Sequence, residues 1–418
     1  MRILLVGHAC GPDRGSESGV TWNFACQLSL AHQVWVITDP QFRNDIERYL
    51  EENPNPNLNF VWVKLSSRWD PRRTPGSDKG LRLHYVFWQR AVLRHAQHLH
   101  QKLDFDLVHH ISWGTISAPP LLWRLPIPFV WGPIGGAQTA PPAFRRYFGA
   151  NWGRELLRTL RVKIATRLPT LRKAVRESAL ILSTNPETTQ ALSAAGARHV
   201  RFFPNIGVPE DLMVQLPPDR DHKQKELRLI WVGRLIPLKG LAIALEALAH
   251  LDGSVAVSLQ VVGEGPLKSK MESLARTLGV HDRVEFVGAV PWRRMPEYYR
   301  RADAFLFTSL RDSSGCVIPE AMVYRLPFLT LDHQGVGAIV PSEAAIKVPV
   351  TTPEETVRRL AEGIRLLAQS PELRRQMGEA GWVKAESMRW QHRAELMTGW
   401  YEEAVTTYRE RQNGYAAA

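Results

Sequence analysis

Short apolar runs rich in β-branched residues alternate along the chain with longer runs whose apolar residues recur every three or four positions. The first pattern predicts strands buried on both faces, and the second predicts amphipathic helices that cover them. This alternation is typical of βα units that build a parallel sheet, and it occurs twice. In the first half, the predicted strands occupy residues 3–6, 34–38, 60–63, 107–111, 129–131 and 180–183. In the second half, they occupy residues 229–232, 257–262, 284–286, 304–307, 328–331 and 346–348.

The break between the two halves predicts a domain boundary. Residues 204–209 and 217–221 are rich in proline, glycine and asparagine or aspartate, which interrupt helices and strands. A length of 418 residues also favours two domains over a single core. The predicted segments are a first domain over 1–208, a linker over 209–226, a second domain over 227–389, and a final helix with a short tail over 390–418 that packs back on the first domain.

Composition narrows the class of protein. With 44% apolar and 22% charged residues, the chain has ordinary globular composition. The three cysteines, Cys10, Cys26 and Cys316, follow no paired spacing, which argues against a disulfide framework or a zinc site. The apolar run at the start of the sequence is too short for a signal peptide. Nowhere do about 18 apolar residues follow one another, as a membrane-spanning helix would require. We therefore expect a cytoplasmic location.

The net charge of +12 is concentrated in two places. Segment 68–102 holds eight Lys or Arg against two acidic residues, and segment 145–176 holds ten against Glu155 alone. In segment 154–176, leucines and other apolar residues recur at helical spacing between the arginines, although Pro169 should interrupt the helix. Such a face suits an anionic membrane surface, on the inner face of a membrane, or else packs on its own domain. Nucleic acid is an unlikely partner, because no recognition-helix, zinc-finger or RNP pattern accompanies the charge.

The most specific constellation is the run from Arg311 to Met322, which follows the predicted strand 304–307. A strand, a glycine-bearing loop and a helix start expose backbone N–H groups to a phosphate. Asp312 and Glu320 flank that position and can accept hydrogen bonds from sugar hydroxyls. The alternative is a capped helix with a surface glutamate.

A second cationic constellation follows strand 229–232. Arg234 comes just past the carboxyl end of the strand, and Lys239 stands before the next helix, where open parallel sheets bind ligands. Arginine can bind a diphosphate through two parallel hydrogen bonds of its planar guanidinium, and lysine can neutralise it with a compact positive charge. Taken separately, either residue also fits an ordinary surface charge near a turn.

These motifs together resemble the nucleotide-sugar domain of retaining family-4 glycosyltransferases with the GT-B fold. The matching motifs cover most of residues 229–325 in family order; they are Val232-Gly233-Arg234 with Lys239-Gly240, then Val262-Gly263-Glu264-Gly265-Pro266, Val284-Glu285-Phe286-Val287-Gly288, and Asp312 with Glu320-Ala321. The resemblance implies an α/β protein with two Rossmann-like parallel-sheet domains facing across a cleft. It also implies sugar transfer to a hydroxyl acceptor with retention of anomeric configuration, in polysaccharide or glycolipid synthesis.

The resemblance assigns roles to individual residues. Arg234, Lys239 and Asp312 are implied catalytic residues, the first two by stabilising the departing diphosphate. Glu320 would bind the ribose hydroxyls, and Val287 to Val290 would border the base. The remaining implied donor-binding residues in this domain are Gly233, Ser314, Gly315, Cys316 and Val317. The family usually has a glutamate where this chain has Asp312 and an aromatic residue where it has Ser314, so the identity of the sugar is not carried over.

The first half matches the family more loosely. The loop from Gly11 to Gly19 is similar to the family's first glycine-rich loop, which implies donor contacts from Gly15 and Ser16, unless the loop is only a tight connection. The family often places a catalytic histidine where this chain has His109 and His110. Because strand side chains alternate, both can face the cleft only if the strand has ended, and a buried structural histidine is the alternative for each.

The resemblance implies no cofactor and no required metal, with the nucleoside-diphosphate sugar as a substrate. The hydroxyl acceptor is expected to be lipid-linked or acidic, because the basic segments lie in the half that would hold it. Two other classes of function stay open. One is a nucleotide-sugar epimerase on the same fold, and the other is a non-catalytic protein that binds nucleic acid or a membrane surface through its charge.

Overall fold

The computed structural model describes residues 1–12, 16–66, 70–72, 80–214, 226–253 and 255–416. Among these residues, the strands form two sheets in which all neighbouring strands run parallel. The first sheet contains β1 (Arg2–Gly7), β2 (Gln33–Thr38), β3 (Leu58–Trp62), β4 (Leu107–Ser112), β5 (Phe129–Ile134), β6 (Leu180–Ser183) and β7 (Val200–Phe202). The second contains β8 (Leu227–Val232), β9 (Val257–Val262), β10 (Val284–Gly288), β11 (Ala304–Phe307), β12 (Phe328–Asp332) and β13 (Ala345–Pro349).

Helices connect most of these strands. The helices of the described residues are α1 (Ser16–Leu28), α2 (Arg43–Glu52), α3 (Leu81–Leu103), α4 (Arg145–Phe148), α5 (Trp152–Ala165), α6 (Pro169–Glu177), α7 (Pro186–Ala194), α8 (Glu210–Val214), α9 (Leu241–Ala249), α10 (Lys268–Thr277), α11 (Met295–Arg301), α12 (Val317–Val323), α13 (Gln334–Ile339), α14 (Pro353–Gln369), α15 (Pro371–Glu386) and α16 (Trp390–Ala416). All twelve predicted strands are present. The additional strand β7 has three residues at the sheet edge, too short for a hydrophobic pattern to reveal it.

The first sheet has the strand order β3-β2-β1-β4-β5-β6-β7. The order reverses between β1 and β4, and the carboxyl ends of these strands form the edge at which open parallel sheets bind ligands. One face packs on α3 through Tyr85 and Trp88, which are fully buried. The other face packs on α1 and α16, where Tyr401 is fully buried beside Phe24 and its neighbours.

The second sheet has the order β10-β9-β8-β11-β12-β13 and reverses between β8 and β11. One apolar cluster lies under α9 and α14, where Leu245 and Leu360 are fully buried. Another lies under α11 and α12, where Tyr299 and Met322 are buried. The loops that follow β8 and β11 therefore lie side by side at the carboxyl edge of this sheet.

The chain divides into two compact units. The first contains residues 1–137, 160–205 and 390–418, and the second contains residues 138–159 and 206–389. The sequence boundary placed 138–159 in the first domain, whereas Phe144 and Phe148 lie buried in the core of the second unit. Of the predicted linker, residues 215–225 lie outside the described part of the chain, and 210–214 form α8.

Helices α4, α5 and α6 carry the basic segment 145–176, which precedes β6. As expected from Pro169, the helical pattern breaks there, and proline starts α6 at a position where its missing N–H is harmless. None of the described helices combines the length and the apolar character needed to cross a membrane.

Candidate functional site

The candidate site of the second unit lies where its strand order reverses. Arg234 and Lys239 are on the loop that follows β8, and Asp312 to Cys316 are on the loop that follows β11. Because β8 and β11 are hydrogen-bonded neighbours, the two predicted constellations share one edge of one sheet. This is the place at which an open α/β sheet binds a ligand.

The lysine and the aspartate of these two loops are paired. Lys239 Nζ donates to Asp312 Oδ2, and both side chains are mostly buried. The ammonium also lies 5.8 Å from the centroid of the Phe307 ring. The Asp312 amide donates to Gln334 Oε1 at 3.0 Å, which fixes the backbone that carries the carboxylate. The Asp312 carboxylate therefore holds the Lys239 ammonium at the point where the strand order of the second sheet reverses.

Arg234 differs from Lys239 in its surroundings. Its side chain is exposed, and the structure gives it no ion pair among the described residues. Its backbone lies in a tight turn, because the Ile236 amide donates to the Arg234 carbonyl at 2.8 Å. The guanidinium is thus available to an anion from solution, on a rigid stretch of main chain.

Two glycines allow the loops of the site to touch backbone to backbone. Gly240 has a φ of +67°, and a Cβ there would lie 2.1 Å from the Thr308 carbonyl oxygen. Gly263 has a φ of +135°, and a Cβ there would lie 2.0 Å from the Gly233 oxygen. No side chain fits in either gap, so glycine is required for the packing that positions Arg234.

The predicted phosphate loop precedes a short helix. Ser314 is buried, Gly315 has a φ of +75°, and Cys316 is exposed immediately before α12 begins at Val317. The Ser313 amide donates to Asp312 Oδ1 at 2.9 Å, which ties the loop to the carboxylate.

Glu320 lies in the first turn of α12 and is held by two donors. The Trp292 Nε1–H donates to Oε1 at 2.9 Å, and the Tyr299 hydroxyl donates to Oε2 at 2.8 Å. Burial raises the pKa of Glu320, and the two hydrogen bonds oppose that rise. Each oxygen keeps a further lone pair for a hydroxyl donor. Val287, Val290 and Val317 pack, partly buried, on the same apolar cluster as Tyr299.

Sequence reasoning missed a second layer around the loop. The Arg311 guanidinium makes a bidentate pair with Glu155, at 2.8 and 3.1 Å. Gln334 Nε2 donates to the Thr139 carbonyl at 2.7 Å, so this one side chain joins the phosphate loop to residues 138–159. Burial, then the charge of Arg311, lower the pKa of Arg158 to about 10. A sequence separation of 156 residues between the partners left no local signal for these contacts.

The two candidate histidines of the first unit are fully buried within β4, which continues to Ser112. They face opposite sides of the sheet. His109 accepts from the Tyr401 hydroxyl at 2.5 Å through Nδ1 and donates to the Gly132 carbonyl at 2.6 Å through Nε2. His110 Nε2 lies 2.8 Å from the Tyr85 hydroxyl. Burial lowers the pKa of His109 to about 4 and that of His110 to about 3, so both rings are neutral at pH 7.

The glycine-rich loop of the first unit is described in part. Ser16 begins α1, whereas Gly15 lies outside the described residues. The structure adds Glu17, which sequence reasoning did not select. Its Oε1 accepts from the Gly114 amide at 3.3 Å, and burial raises its pKa to about 7. A carboxyl group that titrates near neutral pH can exchange a proton with a substrate.

Metal ligands occur together at one place in the described residues of the first unit. His8, Asp39 and His84 each offer a ligand atom there, and these atoms lie within 4.8 Å of one another.

Comparison with protein families gives one matching model, described as "Glycosyl transferases group 1", over residues 215–382. Among curated proteins, the chain is 23% identical over 172 residues to the "Phosphatidylinositol N-acetylglucosaminyltransferase GPI3 subunit" of Saccharomyces cerevisiae. That match covers 40% of this chain and 38% of the yeast protein, so the chain spans about two fifths of that relative. The chain is also 29% identical to the "D-inositol 3-phosphate glycosyltransferase" of Streptomyces bingchenggensis, over 74% of this chain and 69% of that protein.

Solved structures agree on the architecture. Sucrose-phosphate synthase of Thermosynechococcus elongatus superposes with a TM-score of 0.66 and 17% identity, covering 97% of this chain and 99% of its own. Anabaena Alr3699/HepE, solved in complex with UDP, superposes with a TM-score of 0.60 and 17% identity, covering all of both chains. Together with the two parallel sheets, these likenesses confirm the predicted GT-B fold of two Rossmann-like domains.

Proposed function

We propose, from the match of residues 215–382 to the model of the group 1 glycosyl transferases, that this protein transfers a sugar from a nucleoside-diphosphate donor to a hydroxyl acceptor. The observation that carries the proposal is the Lys239–Asp312 pair, placed with the exposed Arg234 at the reversal point of the second sheet. A paired lysine and an exposed arginine on the same loop are an arrangement suited to a diphosphate.

The proposed chemistry rests on the charge of the departing group. As the bond from the anomeric carbon to the diphosphate oxygen breaks, negative charge builds on that oxygen. The acceptor oxygen bonds to the carbon and releases its proton to the departing diphosphate oxygen. Arg234 and Lys239 stabilise this charge from fixed positions, which is the largest single effect in many enzymes. In this proposal Asp312 gives up Lys239 to the diphosphate and turns to a hydroxyl of the sugar. No metal or cofactor is required for these steps.

The rest of the donor has matching partners in the second unit. Glu320 accepts hydrogen bonds from the ribose hydroxyls, since each of its oxygens has one lone pair left beside Trp292 or Tyr299. Val287 and Val290 border the base, and Gly233 allows close approach of the donor. Ser314, Gly315, Cys316 and Val317 contribute main-chain groups to the sugar and the phosphates.

We also propose that the reaction retains the anomeric configuration, as in family-4 enzymes. The support is the motif resemblance over residues 229–325. The coupling constant of the anomeric proton in the product, compared with that of the donor, tests this directly. A product with inverted anomeric configuration would contradict the retaining mechanism but not the proposed sugar transfer.

The donor site is tested first by binding. A panel of nucleoside diphosphates and their sugars is screened by thermal unfolding, because a ligand that binds only the native protein raises the melting temperature. UDP is the first member, since the Anabaena neighbour was solved with it. A panel in which no member raises the melting temperature contradicts the donor site.

Turnover then tests the two cations. We expect Arg234→Ala and Lys239→Ala each to lower kcat about a hundredfold or more, in the range found for the loss of one stabilising donor. The matched controls are Arg276→Ala and Lys270→Ala, exposed residues of the same unit, which should leave kcat unchanged. Unchanged rates in both site variants would contradict the assignment. Donor turnover without an added acceptor would instead indicate an epimerase.

The acceptor is proposed to be lipid-linked or acidic, at the inner face of a membrane. Leu160 and Ile164 of α5 are 53% and 50% exposed, and Leu168, which follows this helix, is 45% exposed. Further along, Leu171 and Val175 of α6 are buried, so the apolar seam faces solvent in its first part and the core in its second. A depression of about 410 Å³ beside it is lined by basic residues and one acidic residue; these are Arg167, Arg172, Lys173, Arg176 and Glu177, with Pro169.

Exposed leucines between arginines suit an anionic lipid surface. Flotation with vesicles of neutral or anionic lipid tests the proposal, and we expect binding only to the anionic ones. The double variant Leu160→Ser, Ile164→Ser should weaken that binding, whereas Leu366→Ser, an exposed leucine of α14, should not. If the protein binds neutral and anionic vesicles equally at low salt, the proposed membrane association is wrong and an acidic acceptor is left.

A further inference from the structure

A cluster of three potential metal ligands lies at the carboxyl edge of the first sheet. His8 follows β1 directly, Asp39 follows β2 directly, and His84 lies in the first turn of α3. The exposed fractions of these residues are 9%, 5% and 0%. Neighbouring parallel strands and the helix that covers them thus bring two imidazoles and a carboxylate together away from water.

The spacing of the cluster suits a small cation. One ligand atom of each residue lies within 4.8 Å of the others. His84 Nε2 is 3.5 Å from Asp39 Oδ2, longer than the roughly 2.7–3.2 Å of an N–H···O hydrogen bond. Ligands about 2.0–2.1 Å from a tetrahedral zinc ion are separated by about 3.3–3.5 Å. The pair of His84 and Asp39 already has that separation, and the His8 nitrogen lies no more than 4.8 Å from either partner.

Two imidazole nitrogens of the cluster are buried without a hydrogen-bond partner. They are His8 Nε2 and His84 Nε2, in the part of the chain that the structure describes. A buried polar atom that lacks a partner costs about 1–3 kcal/mol, so an ion that uses both lone pairs stabilises the site.

A neighbouring carboxylate orients His84. Asp70 Oδ1 accepts from His84 Nδ1 at 2.9 Å, which orients the ring so that Nε2 faces Asp39 Oδ2. A carboxylate behind a histidine ligand is the usual support of zinc sites. Arg72 makes a bidentate pair with Asp70 and lies 3.5 Å from Asp39 Oδ2. The two carboxylates and this guanidinium sum to one negative charge, which favours a cation.

We propose that His8, Asp39 and His84 bind a zinc-type divalent cation, with Asp70 as the positioning residue behind His84 and water in the fourth position. Two nitrogens and one oxygen are a ligand set that zinc accepts and that magnesium, which prefers oxygen, does not. The ion would join the ends of β1 and β2 to the start of α3. The ion has no part in the diphosphate chemistry proposed above for the second unit.

The test uses the full-length, tag-free protein after removal of metal with a chelator. Titration with Zn²⁺ should load one ion per chain and raise the melting temperature, whereas Mg²⁺ should not. Co²⁺ in place of Zn²⁺ should give the visible absorption of a four-coordinate ion with nitrogen ligands. Neither readout depends on transferase activity, so failure of the donor site would not affect the result.

Variants assign the ion to these residues. His84→Gln and His8→Gln should each lower zinc affinity at least a hundredfold, and Asp70→Asn should lower it about 10–100-fold. His98→Gln, an exposed histidine of the same helix, is the matched control and should bind as the original protein does. Should a ligand variant fail to fold, Asp70→Asn and the cobalt spectrum of the original protein still decide. Zinc binding that is absent from the original protein, or equal in all variants, would overturn the proposal.

Discussion

The carboxyl group of Glu17 gives this protein a stability that depends on pH. It lies in the first turn of α1, beside the end of β4, where Oε1 accepts from the Gly114 amide at 3.3 Å. Burial raises its pKa from the ordinary 4.5 to about 7, and the hydrogen bond opposes only part of that rise. The folded protein therefore binds the Glu17 proton more tightly than the unfolded chain does.

The sign and size of the effect follow from this difference. Below pH 4.5 the carboxyl is protonated in both states, and its contribution to stability is fully present. As the pH rises toward 7, the unfolded chain ionises first, so stability falls until the folded carboxyl ionises as well. A difference of 2.5 pKa units, from 4.5 to about 7, corresponds to about 3 kcal/mol of unfolding free energy.

Glu17→Gln removes this ionisation and keeps an oxygen for the Gly114 amide. Equilibrium urea unfolding should then show the variant gaining about 3 kcal/mol on the original protein between pH 4.5 and pH 8. Glu52→Gln, at an exposed position of α2, is the control and should parallel the original protein at every pH. If Glu17→Gln also parallels the original protein, Glu17 titrates normally and the reasoning from burial is refuted.

Two further substitutions test the packing that supports the donor site. A Cβ on Gly335 would lie 1.6 Å from the Ser313 carbonyl oxygen, so Gly335→Ala should displace the phosphate loop and weaken nucleoside-diphosphate binding more than tenfold, measured by calorimetry. Gly399→Ala, with no atom within 4 Å of the new Cβ, should leave binding unchanged, and an equal effect of the two would contradict the argument. Phe144→Ala should lower the unfolding free energy by about 3–5 kcal/mol in urea, because the ring is fully buried in the second unit. Phe202→Ala, at an exposed ring of the first unit, should change it far less, and a small effect at Phe144 would show that residues 138–159 do not depend on that core.

The sheets could be predicted because each strand carries its own signal. Short apolar runs that alternate with segments of helical periodicity predict parallel βα units from local sequence alone. All twelve predicted strands are present. The carboxyl edge of a sheet follows from the chain direction, so the neighbourhood of Arg234, Lys239 and Asp312 could be predicted as well. A three-residue edge strand such as β7 has too few positions for this reasoning.

The partners of the site residues could not be predicted in the same way. The Lys239–Asp312 pair joins residues 73 positions apart, and the Arg311–Glu155 pair joins residues 156 positions apart. Such contacts depend on loop geometry that no periodicity encodes. The same holds for residues 138–159, whose apolar side chains fit a core on either side of the predicted boundary until the packing of Phe144 is known.

The two adjacent histidines show where local rules end. Strand alternation predicts that His109 and His110 face opposite sides, and the structure has them on opposite faces of β4. Alternation does not predict which helix covers each face. Helix α16, nearly 300 residues further along the chain, covers the face of His109, and α3 covers the face of His110. Both rings are buried and neutral, whereas burial raises the pKa of Glu17, beside Gly114, to about 7. In the sequence, a glutamate between glycines at the start of a helix cannot be told from a surface carboxylate, so only its packing could identify Glu17.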